Sequence, residues 1–290
     1  MKRKRLLFRI GSDAGFFSEY NNMVLAMVYC QRNNMRFLLS SYGANFAYDK
    51  GWTDYFLPFC KEINIFHQEF MNLRYEAPIP STGKRERIKR FLFSLQKRFW
   101  RIDLLTYEVF HKVRAQKVDN ALIESCREID KQIYKFNQST SDSIRQRINM
   151  LSLPKQYVGL HIRRGDKARE AAHTDLDRYM SLLAENSKCR DVFVATDDYS
   201  VFEELCSNYP DWRFYTQTPS DNRGYDQRTF EAFTAEHRRN DMLTLFSDIE
   251  VLANSTLFVG TLSSNIGMYM YWRMPQGKCF GVDYNDWKIW

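Results

Sequence analysis

The chain has 290 residues, 44% of them apolar and 27% charged, and carries a formal net charge of +7. Those values belong to an ordinary globular protein with one large core or two medium ones, and leave no place for a fibrous or disordered chain. The basic excess points to anionic partners of three kinds: nucleotide-sugar phosphates, nucleic acid or an acidic membrane surface.

The N-terminal Met-Lys-Arg-Lys-Arg runs into an apolar stretch at 6–10 that is too short for a signal peptide, and no stretch reaches the length of a membrane span. Six cysteines, at 30, 60, 126, 189, 206 and 279, are scattered without a CxxC pair. Reduced, structural thiols and no zinc site are expected. The expected location is the cytoplasm, with peripheral attachment to a membrane as an option.

Taken in order, residues 6–10 predict a strand, Gly11-Ser-Asp-Ala-Gly15 a loop, and residues 18–30 a helix. Strand, glycine-bearing loop and helix open an α/β domain, and the first amides of such a helix favour anions, although a plain turn explains the loop equally well. Residues 36–40 predict a second strand. Residues 84–101 hold eight Lys or Arg against the single Glu86, with Ile88, Leu92, Leu95 and Phe99 at helical spacing. The favoured expectation is that this stripe packs on its own lobe while the charges face water. The rival is docking of 84–101 on an anionic membrane or on a lipid-linked glycan. No nucleic-acid-binding module is recognisable, so nucleic acid is not an expected partner.

From 103 to 152 the period stays helical, with a polar break at 137–142 where Ser141 or Asp142 caps a helix over 144–151. Pro154 stops it, and a lobe boundary is placed near 150. Beyond it, strands at 157–161, 192–195, 212–215, 256–260 and 278–281 alternate with helices at 176–186, 199–207, 241–253 and 265–272. That alternation predicts a doubly wound parallel sheet, Rossmann-like, over 151–290. Residues 217–229 read as a loop near the ligand crevice.

The chemistry concentrates at strand ends, where an open parallel sheet receives its ligand. The strand 157–161 runs into Arg163, Arg164, Asp166 and Lys167. Two adjacent guanidiniums suit a diphosphate, since each offers a planar fork of donors and neither can lose its charge. Glu170 sets a proton acceptor beside that anion site. Asp197 and Asp198 follow 192–195, and Ser263, Ser264 and Asn265 follow 256–260, where either serine also serves as a helix cap.

His161-x-Arg163-Arg164-x-Asp166-Lys167, then Glu170-Ala-Ala and Tyr179-Met180, resembles the α1,6-fucosyltransferase family, which includes the eukaryotic core enzyme and the rhizobial nodulation enzyme. The resemblance runs from about residue 10 to about 270 and is strongest after 156. Residues 44–59 look like an aromatic family segment concerned with packing. The resemblance implies a two-lobed, GT-B-like fold, with an acceptor-side lobe over 1–150 and a GDP-sugar lobe over 151–290. It implies that Arg163 and Arg164 hold the β-phosphate of GDP-fucose, with His161, Asp166 and Lys167 around it and Lys167 among the catalytic groups. Glu170 matches the proposed base, with one residue fewer after Lys167 than in the family. Asp197-Asp198 matches an Ala-Thr-Asp-Asp segment, and Ser263-Ser264-Asn265 resembles a phosphate-contacting Ser-Ser-Gln. Asp248 matches the aspartate that reads guanine, where a carboxylate meets the two donors N1–H and N2–H.

These parts imply an inverting transfer of fucose from GDP-fucose to a hydroxyl of an oligosaccharide, lipid-linked acceptors included. No cofactor and no metal is expected, since the arginines supply the positive charge. An Arg163-Arg164-Gly165-Asp166 run also resembles the α1,2-fucosyltransferases, and a non-catalytic GDP-sugar or glycan binder is the alternative outside enzymology. The contacts would serve GDP-mannose as well. The extra modules of the animal enzymes have no room here, which makes a bacterial or viral oligosaccharide the expected acceptor.

Overall fold

The structure, a computed structural model, describes residues 3–71, 83–164, 175–224, 230 and 233–289. They form two compact units, Met1–Asn137 and Gln138–Trp290.

The first unit is built on a three-stranded parallel sheet, order β2-β1-β3, from β1 (Arg5–Arg9), β2 (Arg36–Ser40) and β3 (Leu104–Leu105). Around it lie α1 (Phe16–Arg32), α2 (Lys84–Trp100), α3 (Thr106–Arg114) and α4 (Asn120–Ile133). Leu7, Leu38 and Leu105 share one core with Ile63, Ile65, Phe70 and Phe93. A second cluster is aromatic: Trp52 stacks on Phe56 at 4.3 Å, and Phe56 on Phe16 at 5.7 Å and Phe136 at 5.1 Å. Each such ring contributes roughly 1.5–3 kcal/mol through burial. The aromatic segment at 44–59 is therefore core, as its resemblance implied, and Trp52, Tyr55 and Phe56 have no exposed face for a sugar ring.

The second unit carries a five-stranded, all-parallel sheet, order β6-β5-β4-β7-β8. Its strands are β4 (Val158–Ile162), β5 (Asp191–Thr196), β6 (Arg213–Tyr215), β7 (Phe258–Gly260) and β8 (Cys279–Gly281), and its helices are α5 (Gln138–Met150), α6 (Leu176–Asn186), α7 (Tyr199–Asn208), α8 (Ala235–Ala253) and α9 (Asn265–Arg273). β4 is buried throughout and alternates its faces. Val158, Leu160 and Ile162 pack on Leu176, Tyr179, Met180 and Leu183 of α6 and on Val201 and Leu205 of α7. Gly159 points the other way, where an added Cβ would meet Leu252 of α8 at 2.9 Å. Helices thus cover both faces, which is the doubly wound sheet that the alternating pattern predicts.

Three expectations shift. Gln138–Met150 is one helix, so the polar stretch at 137–142 is its start and not a break, and Ser141 and Asp142 are interior rather than caps. That helix packs against α8, with Arg147 Nη1 donating to Thr244 Oγ1 at 3.1 Å, so the division between units falls at 137/138 rather than near 150. Helix α8 begins at Ala235, where Thr234 caps it by accepting the His237 N–H at 3.2 Å, and not at 241.

All six cysteines are free thiols, and burial pushes those of Cys30 and Cys126 up to about 12. Among the described residues no helix is long and apolar enough to cross a membrane.

Candidate functional site

From β4 the chain steps outward to β5 and β6, then returns to lay β7 and β8 on the opposite side of β4. Strand order reverses between β4 and β7, and ligands enter open parallel sheets at such a point, beyond the carboxyl ends. Register decides what meets there. Ile162 pairs with Thr196 and His161 with Gly260, so Arg163 and Arg164 emerge between Asp197 on one side and Thr261 on the other.

Asp197 orients the arginines. Its Oδ1 accepts the Arg164 backbone N–H at 2.8 Å, and its Oδ2 lies 4.0 Å from Arg163 Nε. Asp198 does something else: it caps α7, accepting the Ser200 N–H at 2.9 Å and the Ser200 hydroxyl at 2.7 Å. With one carboxylate turned to the arginines and the next to a helix start, the pair is not arranged as a shared cation site. Among the described residues no group of three or more His, Cys, Asp or Glu is placed to hold a metal.

The loop after β7 is held from beneath. Asp283, two residues beyond β8, accepts the N–H groups of Leu262 at 2.7 Å and Ser263 at 2.9 Å. The buried Ser264 hydroxyl donates to the Thr261 carbonyl at 2.7 Å and accepts the Gly267 N–H at 2.9 Å, capping α9. Its capping role is realised, which leaves half-buried Ser263 and exposed Asn265 as the loop's outward side chains. Tyr179 of α6 lies buried under the same corner. Burial pushes its hydroxyl up to about 12, against the pull of Arg164 and of a hydrogen bond with the Thr261 side chain.

Asp248 belongs to α8 and meets the end of β6. Its Oδ1 accepts from Gln217 Nε2 at 3.0 Å, while Ser247 Oγ donates to Gln217 Oε1 at 3.1 Å. Loss of hydration pushes the Asp248 carboxyl up to about 8, against the Gln217 hydrogen bond and the charge of Arg147. Thr216 and Thr218 tie this loop to β5 through the Val194 and Thr196 carbonyls, each at 2.8 Å. β4 and β6 stand two strand spacings apart, roughly 10 Å. Buried His161 is on β4, on the Gly159 side of the sheet that faces α8.

The structure thus brings His161, Arg163, Arg164, Asp197, Ser263, Ser264 and Asn265 to one corner and sets Asp248 at the β6 end of the same edge. Asp166, Lys167 and Glu170 lie outside the described residues. Sequence reading missed Asp283, Gln217 and the role of Tyr179; Asp283 and Gln217 both follow strand ends, the signal that located the others. The glycine-bearing loop after β1 is not an open anion site. Glu19 accepts the N–H groups of Gly11, Ser12, Asp13 and Ala14 at 2.6, 2.8, 3.1 and 3.1 Å, so the chain's own carboxylate fills it.

Residues 126–277 match the family described as alpha-(1,6)-fucosyltransferase N- and catalytic domains. An alpha-(1,6)-fucosyltransferase of Caenorhabditis elegans is 28% identical over 171 residues, a match covering 53% of this chain but 29% of the worm protein. The chain therefore spans well under half the length of that relative. In three dimensions it is similar to NodZ, an alpha-1,6-fucosyltransferase soaked with GDP-fucose and known from Bradyrhizobium, with a TM-score of 0.56, 13% identity and 94% of each chain covered. It is similar also to POFUT1 in complex with GDP-fucose, with a TM-score of 0.50, 10% identity and coverage of 97% of this chain and 98% of the other. At such identities the likeness establishes the fold, the α/β architecture of the GT-B fucosyltransferases.

Proposed function

Since the chain belongs to the alpha-(1,6)-fucosyltransferase family, we propose that it is a glycosyltransferase that moves L-fucose from GDP-fucose to a hydroxyl of an oligosaccharide, with α1,6 linkage and inversion. One observation carries the reading: paired, carboxylate-oriented arginines stand at the reversal point of a parallel sheet, beside a helix-capping loop.

In this reading the second unit binds the donor and the first serves the acceptor. Arg163 and Arg164 receive the β-phosphate, joined by Ser263, Asn265 and the first turn of α9. Guanine lies toward the β6 end, its N1–H and N2–H groups donating to Asp248. Negative charge grows on the phosphate oxygen as the glycosidic bond breaks, and arginines whose backbone (Arg164) and guanidinium (Arg163) face Asp197 stabilise that state more than the ground state. Glu170 takes the acceptor proton, and Lys167 and Asp166 act with the arginines on the donor. The fixed cations make a metal unnecessary. The acceptor hydroxyl belongs to a glycan, and lipid-linked glycans are among the candidates.

The test is donor binding and hydrolysis in EDTA, with GDP-fucose, GDP-mannose and a UDP-sugar, for wild type, Arg163→Ala and Glu170→Gln. Expected are selective GDP-fucose binding, a loss of roughly tenfold or more in affinity for Arg163→Ala, and wild-type binding without turnover for Glu170→Gln. Binding indifferent to Arg163 would sink the reading. Binding of GDP-fucose with no transfer to any glycan would instead mark a non-catalytic nucleotide-sugar binder.

A further inference from the structure

Helix α2 turns its apolar stripe away from the protein, against the expectation that the stripe packs on its own lobe. Ile88, Phe91, Leu92, Leu95 and Phe99 are 44–76% exposed. The inner face holds Phe93, whose ring meets Phe70 at 5.5 Å, and Trp100, which lies under Lys61 Nζ at 4.6 Å. Inner cations are committed to the first unit: Lys89 to Glu69 at 3.2 Å, Lys97 to Glu108 at 3.8 Å, and Arg90 over the Phe70 ring at 4.7 Å. Those contacts fix the rotation of the helix about its axis, so the outward stripe is built in. Around it Lys84, Arg85, Arg87, Arg98 and Arg101 are exposed.

A continuous apolar face on the outside of a folded unit marks a contact surface. Ringed by Lys and Arg, with aromatic residues in its middle, it has the make-up of a helix that lies in the plane of a lipid surface. We propose that α2 docks the protein on an anionic bilayer, with Phe91 and Phe99 in the headgroup–acyl boundary and the surrounding cations at lipid phosphates. Charge complementarity selects this occupant. A second copy would press two cationic faces of a chain of net charge +7 together, and nucleic acid would satisfy the cations while leaving Ile88, Leu92 and Leu95 in water.

The experiment is co-sedimentation of the full chain with phosphatidylcholine vesicles and with phosphatidylcholine–phosphatidylglycerol vesicles. It compares wild type with Phe91→Ser/Phe99→Ser and with Lys84→Glu/Arg85→Glu/Arg87→Glu. Wild type should sediment with the anionic vesicles only, and each variant should lose roughly tenfold or more in partitioning. Because all five side chains are exposed and lie outside the donor site, thermal stability and GDP-fucose binding should stay at wild-type values, which separates loss of docking from misfolding. Three results would overturn the proposal: no sedimentation with anionic vesicles, wild-type sedimentation by the aromatic variant, or concentration-dependent self-association abolished in that variant. None of the three touches the donor reading, which rests on the second unit.

Discussion

Asp248 shows how much one residue's surroundings matter. On an open helix surface it would be an ordinary carboxylate; carried by α8 and packed against Gln217, it loses hydration and is pushed up to about 8. In the proposed reading guanine offers Asp248 two donors, so it selects the ionised form. Below pH 8 that form is the minority, and binding must first remove a proton. GDP affinity should therefore climb roughly tenfold per unit between pH 6 and 8 and flatten above, following the fraction ionised. Isothermal titration across that range checks it, with Asp248→Asn expected to bind weakly and without the slope; an unchanged slope in the variant would assign the titration elsewhere. Arg163 and Arg164 were legible because a strand, a cationic pair and a glycine sit together in the sequence. Asp283 follows a predicted strand end, but its role was not legible. A lone aspartate near the C-terminus gains meaning only once β8 is seen beside β7.

At the scale of elements, carboxylates that accept the amides of a neighbouring loop are the recurring device. Glu19 and Asp283 each gather backbone N–H groups that no strand or helix satisfies, and Asp54 does the same for Tyr48, Asp49, Lys50 and Gly51. Left unpaired, such buried donors cost about 1–3 kcal/mol each. Glu19→Gln replaces an acceptor oxygen with an amide donor facing other donors. A loss of about 3 kcal/mol in urea unfolding is expected, and a loss below 1 kcal/mol would mean the loop finds other partners. Helix α9 gives a second test. A Cβ on Gly267 would lie 1.9 Å from the Thr261 carbonyl oxygen. Gly267→Ala must push the helix start off the 261–264 loop, at about 1–3 kcal/mol of overpacking. Weakened GDP binding in a folded protein is the expected outcome, read by titration beside circular dichroism. The apolar period of α2 was plain in the sequence, but its direction was not: period says that a helix has a face, and only the neighbours say which way it looks.

For the molecule as a whole, the division at 137/138 places every described residue of the proposed donor site in one unit. A ligand that binds there stabilises that unit by mass action, about 2.7 kcal/mol at a hundredfold excess over Kd. Amide exchange with GDP should slow first at Arg164, at the Leu262 and Ser263 amides held by Asp283, and across β4 and β7. Protection confined instead to β1 and β2 would move the nucleotide to the wrong unit.

Alternating strand and helix patterns were enough to predict the parallel sheet, because burial on both faces makes each strand a short apolar run and each helix a periodic one. The ends of those strands carried most of the candidate site for the same reason: polar and charged residues resume where burial stops. Ser264 as a helix cap was legible as well; tertiary structure decided which strand ends are neighbours, that Asp197 and Asp198 part ways, that Glu19 closes the first loop, and that α2 faces outward. Strand neighbours, the turn of Asp197 toward Arg164 and the rotation of α2 depend on partners distant in the chain, which local pattern does not name.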